Sequence, residues 1–305
     1  MAIITRRGKR RLTKGDITYN LVFGFLFSLI TLLCILPFWY IFCVSISDNE
    51  LVTKGLIRLW PHNIHFQNFI SVFRLSGFGQ AAIMSLLKTV IGSFLLVMTS
   101  MFMGWSFSKL NFWGRKFWYK YVVITMYFSA GLIPVYLNYQ MLKLNNTFWI
   151  YIIGFVSPYY IILCKTFVES LPASMEESAK LDGAGIFDIF FRIILPLSKP
   201  IVATICVFAA VGKWNSYMDT KLYVRDSELY TLQYVLYNYL NSATTLSQLM
   251  ANDASAMSGM DLSKVITPTS VRMTVAMVVT LPVLFVYPLF QRYFVKGIML
   301  GAVKG

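Results

Sequence analysis

Acidic side chains are scarce in this sequence: 13 Asp and Glu stand against 27 Lys and Arg, and charged residues of both signs make up only 13% of the 305 positions. A soluble domain carries roughly a quarter charged residues, so these cannot build a water-facing surface all round. Hydrophobic residues fill 57% of the chain and its mean hydropathy is +0.63, an apolar excess that calls for a lipid solvent. Cysteine is rare as well. Cys34, Cys43, Cys164 and Cys206 all fall inside apolar runs with no C-x-x-C spacing, which excludes a disulfide framework or a thiolate metal site and leaves packing as their role. His62 and His65 are the only histidines; they sit in a polar connection without a cysteine or carboxylate cluster, so no metal site is expected. No G-x-x-x-x-G-K-[ST] run exists to cradle ATP phosphates. No Ser/His/Asp or Cys/His set can be assembled at membrane depth, so the chain is read as a non-enzyme.

The formal net charge of +14 would suggest a nucleic-acid partner in a soluble protein, but here the basic residues lie between long apolar runs and read as topology signals. A bilayer core of about 30 Å needs roughly 20 apolar helical residues. Stretches near 20–46, 82–108, 118–141, 148–168, 201–220 and 271–291 meet that test. The fold class expected is therefore all-α: a polytopic membrane bundle of six transmembrane helices. The first apolar run is far longer than the roughly 7–15 residues of a signal peptide, although Ser45-Ile46-Ser47 resembles a cleavage site, and it is expected to stay attached.

Basic residues cluster in the tail 1–19 (Arg6, Arg7, Lys9, Arg10, Arg11, Lys14), after the second span (Lys109, Arg115, Lys116), after the fourth (Lys180, Arg192, Lys199) and in the tail 292–305 (Arg292, Lys296, Lys304). Positive residues mark the cytoplasmic side, so both termini are placed there in a multi-pass protein of the cell membrane. The connections 47–81, 142–147 and 221–270 then face outward. The last joins an amphipathic aromatic stretch (Tyr230 to Tyr239) to a polar tract from Asn241 to Lys264, and two readings stand: a docking surface for an outer partner, or an interfacial helix resting on lipid headgroups. Pro37, Pro134, Pro158, Pro282 and Pro288 are expected to break or kink helices inside the spans.

The most informative segment is the inner connection 169–200. Its first half reads as a short helix with Ser174 and Glu177 as a capping box and Gly183 as the left-handed residue that ends it. Its second half places Ile186, Ile189, Phe190, Ile193 and Ile194 on one helical stripe, with Pro196 and Pro200 stopping that helix and starting the next span. The residues themselves leave two readings open: a lever held beneath the bundle, or a passive surface hairpin.

Glu177-Ser178-Ala179, Gly183 six residues after the glutamate, and Ile193-x-Leu195-Pro196 at the matching distance resemble the E-A-A…G…I-x-L-P motif of permease subunits of binding-protein-dependent ABC importers. Ser178 departs from the usual first alanine. Lys213-Trp214-Asn215-Ser216 and the ending Tyr287 to Gly305 resemble the carbohydrate branch, similar to the maltose-type second permease and its oligosaccharide relatives. The resemblance implies that Glu176, Glu177, Ala179, Asp182, Gly183, Ala184, Leu195 and Pro196 couple to a separate ATPase. It implies a second homologous permease subunit, two ATPase subunits that bind ATP and Mg, and an extracytoplasmic solute-binding protein. It also implies that Met299, Leu300 and Gly301 reach the ATPase dimer interface.

Lys88 and Lys213 fall within or near spans, where a charge costs about 2.5–3.5 kcal/mol on insertion scales, so both are expected to face the bundle interior. Lys213, Trp214, Asn215, Tyr217 and Asp219 offer an aromatic platform with hydrogen-bonding groups suited to a sugar ring. Equally, Lys213 pairs with Asp219 or snorkels, and Trp214 and Tyr217 are interfacial belt aromatics. The function expected is that of a permease subunit forming the path of a saccharide through the bilayer. The alternative is an ion-coupled secondary transporter, which would need intramembrane carboxylates of which Asp219 is nearly the sole candidate.

Overall fold

A computed structural model describes residues 14–252 and 268–302. Among the described residues every regular element is helical, as the apolar composition requires, because backbone polar groups in lipid must be satisfied within the segment. The chain divides into two units, Met1–Phe69 with Gly259–Met277, and Ile70–Ser258 with Val278–Gly305.

In the first unit, α1 (Lys14–Ser45) runs 32 residues, about 48 Å at 1.5 Å per residue. Its segment Thr18–Ser45 is long and apolar enough to cross a bilayer. Tyr19, Phe23 and Phe27 line up at four-residue spacing, with ring centroids 4.3 and 6.3 Å apart. The chain then turns through a polar knot: Asn49 and Asn68 exchange amide hydrogen bonds at 3.2 and 3.1 Å, and Asn68 also donates to the Ser45 carbonyl. Asp48 accepts from the amides of Glu50 and Leu51 and so caps α2 (Asn49–Thr53), a contribution of about 1 kcal/mol. Cys43, Val44, Val52 and Ile57 form this unit's apolar cluster, joined by Met273, so Cys43 packs as expected. The short α3 (Gln67–Phe73) follows.

The second unit is built around α4 (Phe78–Ser108), 31 residues long and also apolar enough to span. Next come α5 (Arg115–Tyr127), α6 (Leu132–Met141), α7 (Trp149–Ile152) and α8 (Pro158–Glu169). The stretch expected as one span over 118–141 is two helices bent by 118° at Phe128–Gly131. That over 148–168 is the four-residue α7 and then α8, with Gly154 left-handed between them and Pro158 starting the second helix. Proline fixes φ and lacks an amide hydrogen, so it begins a helix more readily than it continues one. The α4–α8 crossing is tight: a Cβ added at Gly104 would lie 2.5 Å from the Cys164 Cβ and 2.8 Å from the Lys165 nitrogen.

The connection 169–200 folds as α9 (Ala173–Leu181), α10 (Ile186–Asp188), a π-helical stretch Ile189–Ile194, and α11 (Leu195–Leu197). Then come α12 (Lys199–Asn215), α13 (Met218–Tyr223), α14 (Leu232–Asn252) and α15 (Pro268–Ala302). The fifth expected span, 201–220, ends instead at Asn215, and the tail expected from 292 continues α15 without a break as far as Ala302. The segment 221–270 is helical over Leu232–Asn252; half of its polar tract, residues 253–264, and the last residues 303–305 lie outside the described residues.

Candidate functional site

The core of the second unit places α9 against the bundle. Leu96, Val97, Met101 and Trp105 of α4 pack with Cys164 and Val168 of α8, Ala179 of α9, Ile189, Phe190 and Ile194 of the π stretch, and Ile205 and Ala209 of α12. Of the expected companion stripe, Ile189, Phe190 and Ile194 are buried while Ile186 is exposed. The reason is the backbone: Pro196 cannot donate to the Arg192 carbonyl, and its ring would press on it. The turn widens instead, the Leu195 amide bonding back to the Phe190 carbonyl, so the later apolar residues shift round the axis. The sequence from Ile186 to Leu197 then bends by 80° into α12 at Ser198, two residues before Pro200.

The expected capping box does not form. α9 starts two residues earlier than predicted, with Pro172 at the N-cap and no side-chain capping bond. Ser174 therefore lies inside the first turn, where its oxygen cannot take the Glu177 amide. The other end forms as expected: Gly183 has φ +80°, its amide bonds to the Lys180 carbonyl at 3.1 Å, and the Ala184 amide bonds to the Ala179 carbonyl at 2.9 Å. This is the paired-bond ending that a left-handed glycine permits.

The two adjacent glutamates of α9 have opposite environments. Glu176 is buried with Ala179 against the bundle, whereas Glu177, Ser178, Leu181, Asp182 and Gly183 are exposed. Glu176 pairs with Lys109 beyond the end of α4 and with Lys180 at 3.1 Å, and it accepts from the Trp105 indole at 3.4 Å. The Lys109 ammonium also lies 5.5 Å from the Trp105 ring centre. Burial alone would raise the Glu176 carboxyl, but the hydrogen bonds from Lys109 and Lys180, the Lys109 charge and the Trp105 bond together hold it below its ordinary value. The serine that departs from the motif, Ser178, is on the exposed side. Leu195 is half-buried and packs on the core, and Pro196 is exposed.

A second constellation surrounds the break between α12 and α13. Lys213 does not pair with Asp219; its ammonium donates to the Tyr151 carbonyl at 2.9 Å. Its stem passes over Gly92, where an added Cβ would stand 3.2 Å from the Lys213 Cε. The partner of Asp219 is Lys88, at 3.0 Å, which also donates to the Ser216 carbonyl at 2.9 Å. Ser216 Oγ completes the set with a bond to Asp219 at 3.0 Å. The Tyr151 hydroxyl meets Thr220 at 3.0 Å and donates to the Leu229 carbonyl at 2.7 Å. Trp214 donates its indole hydrogen to the Val279 carbonyl, and the Tyr217 ring stacks on Tyr237 at 4.6 Å. Of the five expected contact residues, Asn215 is the exposed one. Met299, Leu300 and Gly301 lie in the last turns of α15.

Trp105, Lys109 and Tyr151 were not expected at either site. Lys109 was visible only as a positive charge after a span, and nothing in its neighbours' spacing points to a residue 67 positions away. Among the described residues there is no cluster of three or more metal-ligating side chains.

Residues 96–300 match the family described as "Binding-protein-dependent transport system inner membrane component". The chain is similar to the polygalacturonan/rhamnogalacturonan transport system permease protein YtcP of Bacillus subtilis, with 36% identity over 287 residues, 93% of this chain and 97% of that protein. It is similar to the maltodextrin transport system permease protein MalD of Streptococcus pneumoniae, with 28% identity over 97% of this chain and 98% of that one. Among solved structures it resembles a chain of a bacterial ABC transporter involved in the import of the acidic polysaccharide alginate, with a TM-score of 0.77 and 30% identity over 92% of this chain and 98% of that one. Spanning helices, a motif loop packed against them and these matches along nearly the whole length have one common explanation: the chain belongs to the family of inner membrane components of binding-protein-dependent transport systems.

Proposed function

We propose that this chain is one of two permease subunits of an ATP-driven importer and that α9 is its coupling helix. The single observation that carries this is the split face of α9. Ala179 and Glu176 fasten it to the bundle, while Met175, Glu177 and Leu181 are presented outward, Leu181 at 89% exposure. An exposed leucine and methionine beside a carboxylate on a nine-residue helix fit a cleft of a partner ATPase, whose ATP and Mg do the hydrolysis. The charge distribution supports six crossings with both termini cytoplasmic, which puts α9 and the Met299–Gly301 end of α15 on the side of that ATPase.

The physical route from α9 upward is α4. At one end Trp105 and the adjoining Lys109 grip Glu176; near the other, Lys88 holds Asp219, Ser85 Oγ accepts from the Leu232 amide at 2.8 Å, and Gln80 donates to the Glu228 carbonyl at 3.2 Å. A displacement of α9 is thereby passed to the outer segment, where a solute-binding protein delivers cargo. ATP biases this equilibrium only if the two arrangements of the bundle differ in affinity for the closed ATPase pair. The ion-coupled alternative has less support, since its candidate carboxylate among the described residues, Asp219, is engaged by Lys88 and Ser216.

The cargo is a saccharide or oligosaccharide, a reading supported by the substrates named for the similar proteins. Two of those names, polygalacturonan/rhamnogalacturonan and alginate, are or contain acidic polymers, which makes uronate oligomers the first compounds to test. In vesicles holding the assembled complex, Glu177→Lys or Gly183→Val should cut substrate-stimulated ATPase activity at least fivefold with insertion unchanged. Stimulation equal to wild type in both variants would remove α9 from the coupling role.

A further inference from the structure

In the first unit, the connection after α1 turns back alongside the helix it has just left. The Leu59 carbonyl accepts the Trp39 indole hydrogen at 2.8 Å and the Cys43 thiol at 3.5 Å, and Trp60 meets the Trp39 ring edge to face with centroids 6.1 Å apart. On the way out, the Asp48 amide bonds to the His62 carbonyl at 3.1 Å and the His65 amide to the Ile46 carbonyl at 2.9 Å. Ile57 is buried with Cys43 and Val44. Residues 54–66 are thereby tied to the last two turns of α1.

These bonds set the depth of the loop. The apolar part of α1, Thr18–Ser45, has 28 residues and is about 42 Å long at 1.5 Å per residue, which matches a bilayer with its headgroup layers, about 40–45 Å. Centred on a hydrocarbon core of about 30 Å, it leaves about 6 Å, or roughly four residues, in each headgroup layer. Trp39, six residues before Ser45, then lies just inside the hydrocarbon boundary, and helical side chains lean toward the N-terminus, here deeper into the bilayer. Leu59 is held at that boundary. The composition of the loop agrees. Leu56, Leu59, Trp60, Ile64 and Phe66 are between 53% and 69% exposed, although connections that run through water are ordinarily polar. Between Lys54 and Phe66 there is no acidic residue, and Lys54 is taken by Glu50. Arg58, between Ile57 and Leu59, is exposed and forms no ion pair among the described residues.

From this depth and this charge we infer that 54–66 is an interfacial foot, whose five apolar side chains insert into the outer leaflet beside α1 while Arg58 takes the phosphate of an anionic lipid. Tryptophan settles at the headgroup level of a bilayer, and an arginine there extends its stem along apolar surface with its guanidinium at the phosphates. The exposure of the α1 face follows from its being a span. That of the loop does not, and its place at the interface comes from the bonds to Trp39 and Cys43. The foot fixes the outer end of α1 at one level, because the Asn49–Asn68 knot ties both ends of the loop to Ser45. The inference goes beyond the proposed function, since it requires neither cargo nor ATPase and stands or falls separately from the importer reading.

The test uses the full chain assembled with its partner subunits in vesicles, carrying Cys34→Ala so that the exposed native thiol is silent. A bimane fluorophore is attached at Leu56→Cys or, as a second variant, Ile64→Cys, both exposed apolar positions, and at Phe38→Cys in α1 as the reference for lipid contact. Phospholipid brominated near the headgroup end of its acyl chains should quench both loop labels at least half as strongly as the reference. Aqueous iodide should quench them at least threefold less than it quenches the free dye. Iodide quenching equal to that of the free dye, without lipid quenching, puts the loop in water and overturns the foot. Shielding from both quenchers means that another protein chain covers the loop, which overturns it equally. Brominated phosphatidylglycerol should quench at least twofold more than brominated phosphatidylcholine at equal dilution, a preference that Arg58→Gln removes. Equal quenching by the two lipids, or a preference unchanged in Arg58→Gln, overturns the headgroup contact.

Discussion

Replacing Glu176 by Gln is the sharpest probe of how α9 is held. The substitution keeps the volume and one acceptor but removes the charge that faces Lys109 and Lys180. The Lys180 pair is the weaker loss, because its side chain is 59% exposed and such pairs are worth about 0.5 kcal/mol or less. Lys109 is about a third exposed and its charge-assisted bond falls below the 1.5–3 kcal/mol range of buried examples after screening, to about 1 kcal/mol. The long Trp105 contact adds about 0.5 kcal/mol. The sum is about 2 kcal/mol, roughly a thirtyfold rise in local opening. Amide hydrogen exchange followed by mass spectrometry in the assembled complex reads that opening directly. Peptides covering 173–184 should lose roughly thirtyfold protection in Glu176→Gln and none in Glu177→Gln. Protection within threefold of wild type in both variants would refute the assignment of Glu176 as the anchor, and equal loss in both would refute the division of labour between the two glutamates.

The same anchor has a pH signature. A carboxyl held below its ordinary value stabilises the fold above the unfolded-state value of about 4.3 and loses that contribution as pH falls through the folded one, so protection of 173–184, corrected for intrinsic exchange, should be flat from pH 6 to 8 and fall only in acid. Gly104→Ala should destabilise the second unit by about 1–3 kcal/mol, because the new methyl meets Cys164 and the α8 backbone; an unchanged thermal midpoint in detergent would show that the crossing is looser than described. A double-mutant cycle of Lys88→Met and Asp219→Asn should return a coupling of about 1–3 kcal/mol, and additive effects would mean that the pair does not hold α13.

The apolar runs made the helices legible, since length and hydropathy alone separate a spanning segment from a loop. Composition cannot distinguish a straight span from a bent one, however. Pro134 marked the third span for a break or kink, but nothing in the apolar residues on either side gave the size of the turn, 118°. Motif spacing located α9 and Gly183 because both depend on neighbours a few residues away. It failed at the N-cap, where a two-residue shift in the helix start moves Ser174 out of reach. It failed again at Asp219, where the lysine expected as a candidate partner, Lys213, points to Tyr151 and the true partner comes from α4. Pairings between distant segments follow from which helices pack together, and no local pattern encodes that.

Position 92 has an evolutionary consequence. A side chain larger than alanine there would occupy the notch that the Lys213 methylenes cross and push the ammonium group off its carbonyl acceptor. The two positions are therefore expected to change only in concert: related sequences that enlarge residue 92 should also have surrendered the cation at 213, and a lineage retaining one without the other would need a differently shaped crossing.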